Sequence, residues 1–177
     1  MEKLQQAVKI LPSEQAGPAA GQVSLDYEGR FLRRKRLTAD TGESFLVNLP
    51  ETTNLTGGEA FVLDDGRQIG VTCAAEPVVI VQGDLARLAW HIGNRHTPCQ
   101  IGVDRLVIRQ DHVLEAMLQG LGAKLTRQAA PFQPEGGAYG MGRTMGHDHG
   151  HSHDHSHSHH DHSHSHSHDH GHTHSHD

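Results

Sequence analysis

The chain has 177 residues, 15 Lys and Arg against 21 Asp and Glu, and a formal charge of −6. That length suits one ordinary domain or two small ones, since cores of roughly 50 to 100 residues already fold alone. Five of the acids lie in the last 31 residues, so the remainder is nearly neutral and aims no strong field at nucleic acid.

Two cysteines, Cys73 and Cys99, stand apart without a Cys-x-x-Cys pattern, so neither a disulfide framework nor a four-thiolate zinc site is indicated and a reduced, cytoplasmic setting fits best. No window approaches the roughly 20 apolar residues of a membrane span. Met1 to Leu11 alternates charged and apolar residues instead of setting a basic head before an apolar core, so neither export nor membrane insertion is expected.

From Val23 to Ala74 the pattern is short and β-like. Val23 to Tyr27 alternates, Glu28-Gly29 turns, and Phe45 to Leu49 runs apolar until Pro50, which is read as its stop. Ala60 to Leu63, the Asp64-Asp65-Gly66 turn and Gln68 to Thr72 predict a hairpin, because Asp-Gly supplies the positive φ of tight hairpin turns. The rhythm then changes. Pro77 to Val81 is a continuous β-branched run suited to a buried strand. Asp84 is a good N-cap, and Leu85, Leu88, Ala89 and Ile92 make one apolar helical stripe that ends at Gly93-Asn94. Strands over Gln100 to Gly102 and Arg105 to Arg109 flank a turn at Val103-Asp104. Asp111 caps a second helix carrying Val113, Leu114, Met117, Leu118 and Leu121, Gly122 stops it, and Lys124 to Thr126 resumes as strand. The order βαββαβ is the split βαβ pattern of ferredoxin-like domains. From Ala129 onward, prolines and glycines predict an exit loop, and the polar segment beyond it is expected to be disordered. The fold class is therefore α+β: a small all-β N-terminal domain (1–74), a ferredoxin-like βαββαβ domain (75–142) and a disordered His-rich tail (143–177).

The tail carries 16 of the 19 histidines. Neutral imidazole has an sp² nitrogen lone pair and a pKa of about 6.5, so most of these side chains are available as metal ligands at neutral pH. The His-x-His spacing puts alternate imidazoles on one side of any locally extended stretch. The candidate metal ligands are His147, His149, His151, His153, His155, His157, His159, His160, His162, His164, His166, His168, His170, His172, His174 and His176. Interspersed Asp, Ser, Gly and Thr are unlike a homogeneous purification tag. Imidazole suits nickel, copper and zinc alike, so the array alone does not select its metal. Elsewhere there are only His91, His96 and His112. His96 lies past the first helix, where a loop projects it away from the core, and is the leading ligand candidate. His112 stands in the first turn of the second helix and is either a secondary ligand or an exposed helix residue. His91 borders the apolar stripe and is read as structural, and Cys99, beside a strand start, as packed.

The strings Trp90-His-Ile-Gly-Asn-Arg-His96, Asp111-His-Val-Leu114 and Pro131-Phe-Gln-Pro-Glu-Gly-Gly-Ala-Tyr-Gly140 resemble the urease accessory protein E family, and the likeness extends over the body and the His-rich tail. The resemblance implies a β-rich N-terminal domain that binds client or partner, a ferredoxin-like domain for metal binding and dimerisation, and a homodimer that inserts nickel into urease. Its implied partners are the urease apoprotein and the urease accessory proteins, including the accessory GTPase. By similarity, His96 of each subunit meets its twin at the dimer interface and shares one metal, because twofold symmetry doubles the ligand count. Some members carry a further histidine two positions before the one matching His112; this sequence has Gln110 there.

Other classes fit less well. Gly-x-Ser-x-Gly and His-Glu-x-x-His are absent and the glycines near Gly136 lack Gly-Lys-Ser/Thr, so no enzyme is expected. The basic run Arg30-Phe-Leu-Arg-Arg-Lys-Arg36 has no aromatic platform for bases and reads as a strand with solvent-facing charges or a docking surface for an acidic protein partner. The expectation is a nickel metallochaperone, with zinc or copper able to compete for its sites. A general zinc, copper and nickel storage protein is the alternative.

Overall fold

The computed structural model describes residues 4–136; the His-rich tail and the expectations placed on it lie outside the described residues. Six strands come first: β1 (Gln5–Leu11), β2 (Gly21–Leu25), β3 (Phe31–Thr38), β4 (Ser44–Asn54), β5 (Ala60–Leu63) and β6 (Gln68–Cys73). They form one mixed sheet in the order β2-β6-β5-β1-β4-β3, with β1 parallel to β4 and β2 parallel to β6. Alternation drives it. Phe45, Val47 and Leu49 of β4 turn one face inward onto Val23, Phe61, Ile69 and Val71, and Phe45 meets Phe61 edge to face at 5.7 Å. Each such burial contributes about 1.5–3 kcal/mol. The β5–β6 hairpin forms as the sequence predicts, with Gly66 in the left-handed region (φ 85°) closing the turn.

The second half continues as β7 (Ala75–Gln82), α1 (Leu85–Gly93), β8 (Gln100–Ile101), β9 (Leu106–Arg109), α2 (His112–Gly120) and β10 (Lys124–Pro131). Its antiparallel sheet has the order β10-β7-β9-β8. Val79 and Val81 of β7 and Leu106 and Ile108 of β9 share one core with Leu88 and Ile92 of α1 and Leu114 and Leu118 of α2, so both helices cover the same face. Both predicted caps are in place. Asp84 accepts from the Arg87 N–H, and Asp111 accepts from those of Val113 and Leu114.

Four details differ from the sequence reading. β1 carries no clear signal, because only Ala7 of its residues is fully buried, yet it pairs with both β4 and β5. Pro50 does not stop β4, which runs on to Asn54; the register shifts so that residues 49–52 face Arg33 alone, and a residue without an N–H is tolerated where the ladder is already interrupted. The exit loop begins later than Ala129, since β10 pairs with β7 as far as Pro131 opposite Ala75. The basic run is divided. Arg33, Arg34, Lys35 and Arg36 are exposed on β3, whereas Arg30, which precedes the strand, is only 3% exposed.

Arg30 lies where the two sheets meet. Its guanidinium donates to the backbone carbonyls of Leu55 and Phe132, and its Nε to that of Asp26. Beside it Tyr27 packs edge to face on Phe132 at 5.4 Å, in a third core with Val78 and Val107 from the outer face of the second sheet. Replacing a buried charged donor by an isosteric apolar chain leaves those carbonyls short of a partner, so Arg30→Met is expected to lower stability by about 2–3 kcal/mol. Urea unfolding measures it; a loss below about 0.5 kcal/mol would mean that the junction does not depend on this side chain.

Candidate metal-binding site

The position of His96 follows from how α1 ends. Ile92 is fully buried and anchors the last turn; the Thr97 N–H donates back to its carbonyl at 3.4 Å, and the His96 N–H to that of Gly93 at 2.9 Å. This nested pair is the Schellman pattern, whose left-handed residue is usually glycine. Here it is His96, with φ 54°, the one non-glycine with positive φ among the described residues. A Cβ in that conformation clashes with the following carbonyl at about 1–2 kcal/mol, although histidine tolerates it better than most residues. Such strain persists where the surrounding structure enforces it, and it gathers at functional positions. The turn leaves the imidazole exposed.

Beyond it, Thr97 and Pro98 border a cleft of about 410 Å³ together with Glu76, Pro77, Arg109, Gln110 and Asp111. The His96 loop thus lies against the entry to α2, whose first residue, His112, is exposed. Gln110 sits on that cleft and offers an amide where an imidazole would be a stronger ligand. His91 is half-buried and meets Trp90 edge to face at 4.9 Å. Trp90 is itself 64% exposed, and Ile101, Val103 and Val113 expose further large apolar side chains in this half of the chain.

Among the described residues, no three His, Cys, Asp or Glu side chains converge as a metal cage. His96 therefore offers one strong donor, and a closed four-ligand sphere would need donors from a second copy or from beyond residue 136.

Cys99 is poorly placed to supply another. It packs half-buried against the second core, where burial, reinforced by the negative charge of Glu135, pushes its thiol up to about 11. Metal binding and nucleophilic attack both need the thiolate. At pH 8 a rise from 9.0 to about 11 lowers the thiolate fraction roughly a hundredfold, the greater nucleophilicity of a more basic thiolate offsets part of that, and iodoacetamide is expected to label Cys99 about tenfold or more slower than an unperturbed thiol. Labelling at the peptide rate would show that the site is open.

Comparison with known proteins decides the family. The model of the UreE urease accessory protein N-terminal domain matches residues 1–74, and that of the UreE C-terminal domain matches residues 76–176. The chain belongs to the UreE urease accessory protein family. A urease accessory protein UreE of Rhodobacter capsulatus is 64% identical over 148 residues, covering 84% of this chain and 95% of the relative. One from Cereibacter sphaeroides is 61% identical over 149 residues (84% and 82%), and one from Paracoccus denitrificans 65% over 128 residues (72% and 82%). In this UreE-family chain the C-terminal match takes in the helix-end turn of His96 and continues through the His-rich segment. Among the described residues, no helix is long and apolar enough to cross a membrane.

The left-handed backbone was not legible beforehand, because Gly93-Asn94 supplied a sufficient stop signal and the reversal falls two residues later. It makes a clear prediction. His96→Gly relieves the Cβ clash and is expected to stabilise the protein by about 0.5–1 kcal/mol in thermal or urea unfolding. A destabilised variant would show that the imidazole, and not the turn, holds this segment.

Proposed function

We propose that this chain is a nickel metallochaperone that collects nickel and hands it to the urease apoprotein while the active site of urease is assembled. The observation that carries the reading is a strained, exposed His96, in a chain whose two halves both match the UreE family. On this reading residues 1–74 contact the client or its assembly complex, including the accessory GTPase. Residues 75–142 form a ferredoxin-like domain that dimerises and binds metal, and residues 143–177 are a metal-gathering tail. The protein works in the cytoplasm as a homodimer and is not itself a catalyst.

His96 pairs with its twin across the twofold axis to hold one nickel between subunits. The exposed Trp90, Ile101 and Val113 support a partner surface on this half. The tail histidines, from His147 to His176, load further ions at weaker, fast-exchanging sites and complete the interface sphere; His112 is an auxiliary donor. An open set of imidazoles suits a carrier, because a closed tetrahedral cage would retain its ion. Zinc and copper compete at the same donors.

Titration calorimetry with the oligomer mass recorded tests the assignment. The full chain is expected to bind several nickel ions at neutral pH, a chain ending at residue 142 one per two subunits, and the same shortened chain with His96→Ala none. Unchanged stoichiometry on removing the tail would end the reservoir role, and nickel retained after His96→Ala would end the interface site. Because imidazole must be deprotonated to bind, acidification below about pH 6 is expected to release the ions. Competition among nickel, zinc and copper distinguishes delivery from general storage.

A further inference from the structure

β3 is the last strand of its sheet, so one of its sides has no neighbouring strand, and it presents Arg33, Arg34, Lys35 and Arg36 to solvent one after another. The register places Arg34 opposite Asn48 and Arg36 opposite Leu46, while Lys35 lies opposite the buried Val47. Four cations are thus carried on both faces and along the rim of one edge. No comparable basic run occurs elsewhere in the chain, and the metal reading above makes no use of this one.

The counter-charge lies in the same chain. His147 to Asp177 holds five Asp and no Lys or Arg, and well above the imidazole pKa of about 6.5 it is an acidic segment. It starts from the right place. Residues 133–136, the last ones described, line one small cleft with Asn54, Leu55 and Thr56, and Asn54 is paired with Phe31 at the start of β3. Ten residues then separate Gly136 from His147, and at about 3.3–3.6 Å per residue this length reaches along the whole strand.

We propose that the metal-free segment His147–Asp177 is held electrostatically on the basic edge strand β3, and that loading the segment with divalent cations releases it. Each bound ion adds two positive charges, so a few ions reverse the sign of the segment and remove its attraction to Arg33, Arg34, Lys35 and Arg36. The consequence is an order of events: an empty carrier keeps its basic edge covered, and a loaded one exposes it together with the metal. The release step rests on the metal-binding reading of the tail; the covered state does not. A charged edge strand also prevents sheets from pairing edge to edge, and that role alone requires no contact with the tail.

The test uses the full-length chain. Backbone chemical shifts of residues 33–36, read by carbon-detected NMR at pH 8 and low salt, are compared with those of a full-length variant in which Asp148, Asp154, Asp161, Asp169 and Asp177 are all changed to Asn. The histidines stay intact in both. The proposal expects different shifts at β3 that converge in high salt, where exposed charges are screened. It also expects convergence on saturation with zinc, a diamagnetic ion that the same imidazoles bind. Arg34→Gln with Arg36→Gln is expected to reduce the difference in the same way. Identical β3 shifts in the two metal-free proteins would overturn the proposal, as would a difference that fades on dilution, which would mark β3 as a contact between separate molecules. Zinc uptake by calorimetry on the same samples separates the two readings. Uptake without a change at β3 overturns the release alone, whereas no uptake overturns both the release and the metal-carrying tail.

Discussion

The contact between the two sheets constrains everything else in this molecule. Each half has its own core, and Val78 and Val107 on the outer face of the second sheet meet Tyr27 and Phe132 in a third, with Arg30 buried at that seam against backbone carbonyls. A guanidinium in such a place must use its donors, and it does so by tying the turn before β3 and the end of β4 to the residue that follows β10. The exit of the chain at residues 133–136 is thereby fixed beside the basic edge strand, and the segment beyond it starts from a defined point.

Against this buried scaffold the metal-binding candidates stand apart. His96 and His112 are exposed and the described residues contain no converging ligand cluster. Cys99, the sulfur donor nearest in sequence to His96, is held as a neutral thiol by burial. Exposed donors that are not closed into a cage exchange their ion faster than a closed tetrahedral site does. Among the described residues, the left-handed turn at His96 is the one place where a non-glycine residue takes a positive φ, and that side chain is the ligand candidate.

How much of this was readable from the sequence depended on whether the signal was local. The two helices, their Asp84 and Asp111 caps, the β-branched run of β7 and the Asp64-Asp65-Gly66 hairpin all express short-range periodicity or turn chemistry, and they formed where expected. β1 was missed because a strand with one fully buried residue has little alternation to display. The passage of β4 through Pro50, the extension of β10 to Pro131 and the burial of Arg30 all depend on pairing partners far away in the chain, which no local window contains. For the candidate site, the exposure of His96 followed from its place after a helix stop, and its positive φ did not, because Gly93 had already satisfied the stop signal. The histidine array was evident from composition alone.

On the proposed function, nickel passes to the client through a pair of His96 side chains and not from every imidazole of the chain alike. Activation of urease apoprotein by nickel carried on the full-length protein, with the accessory proteins present and free nickel held low by a chelator, tests it most directly. The wild-type chain is expected to activate urease, and His96→Ala, whose tail on this reading still carries nickel, to do so far less. Equal activation by the two proteins would contradict it.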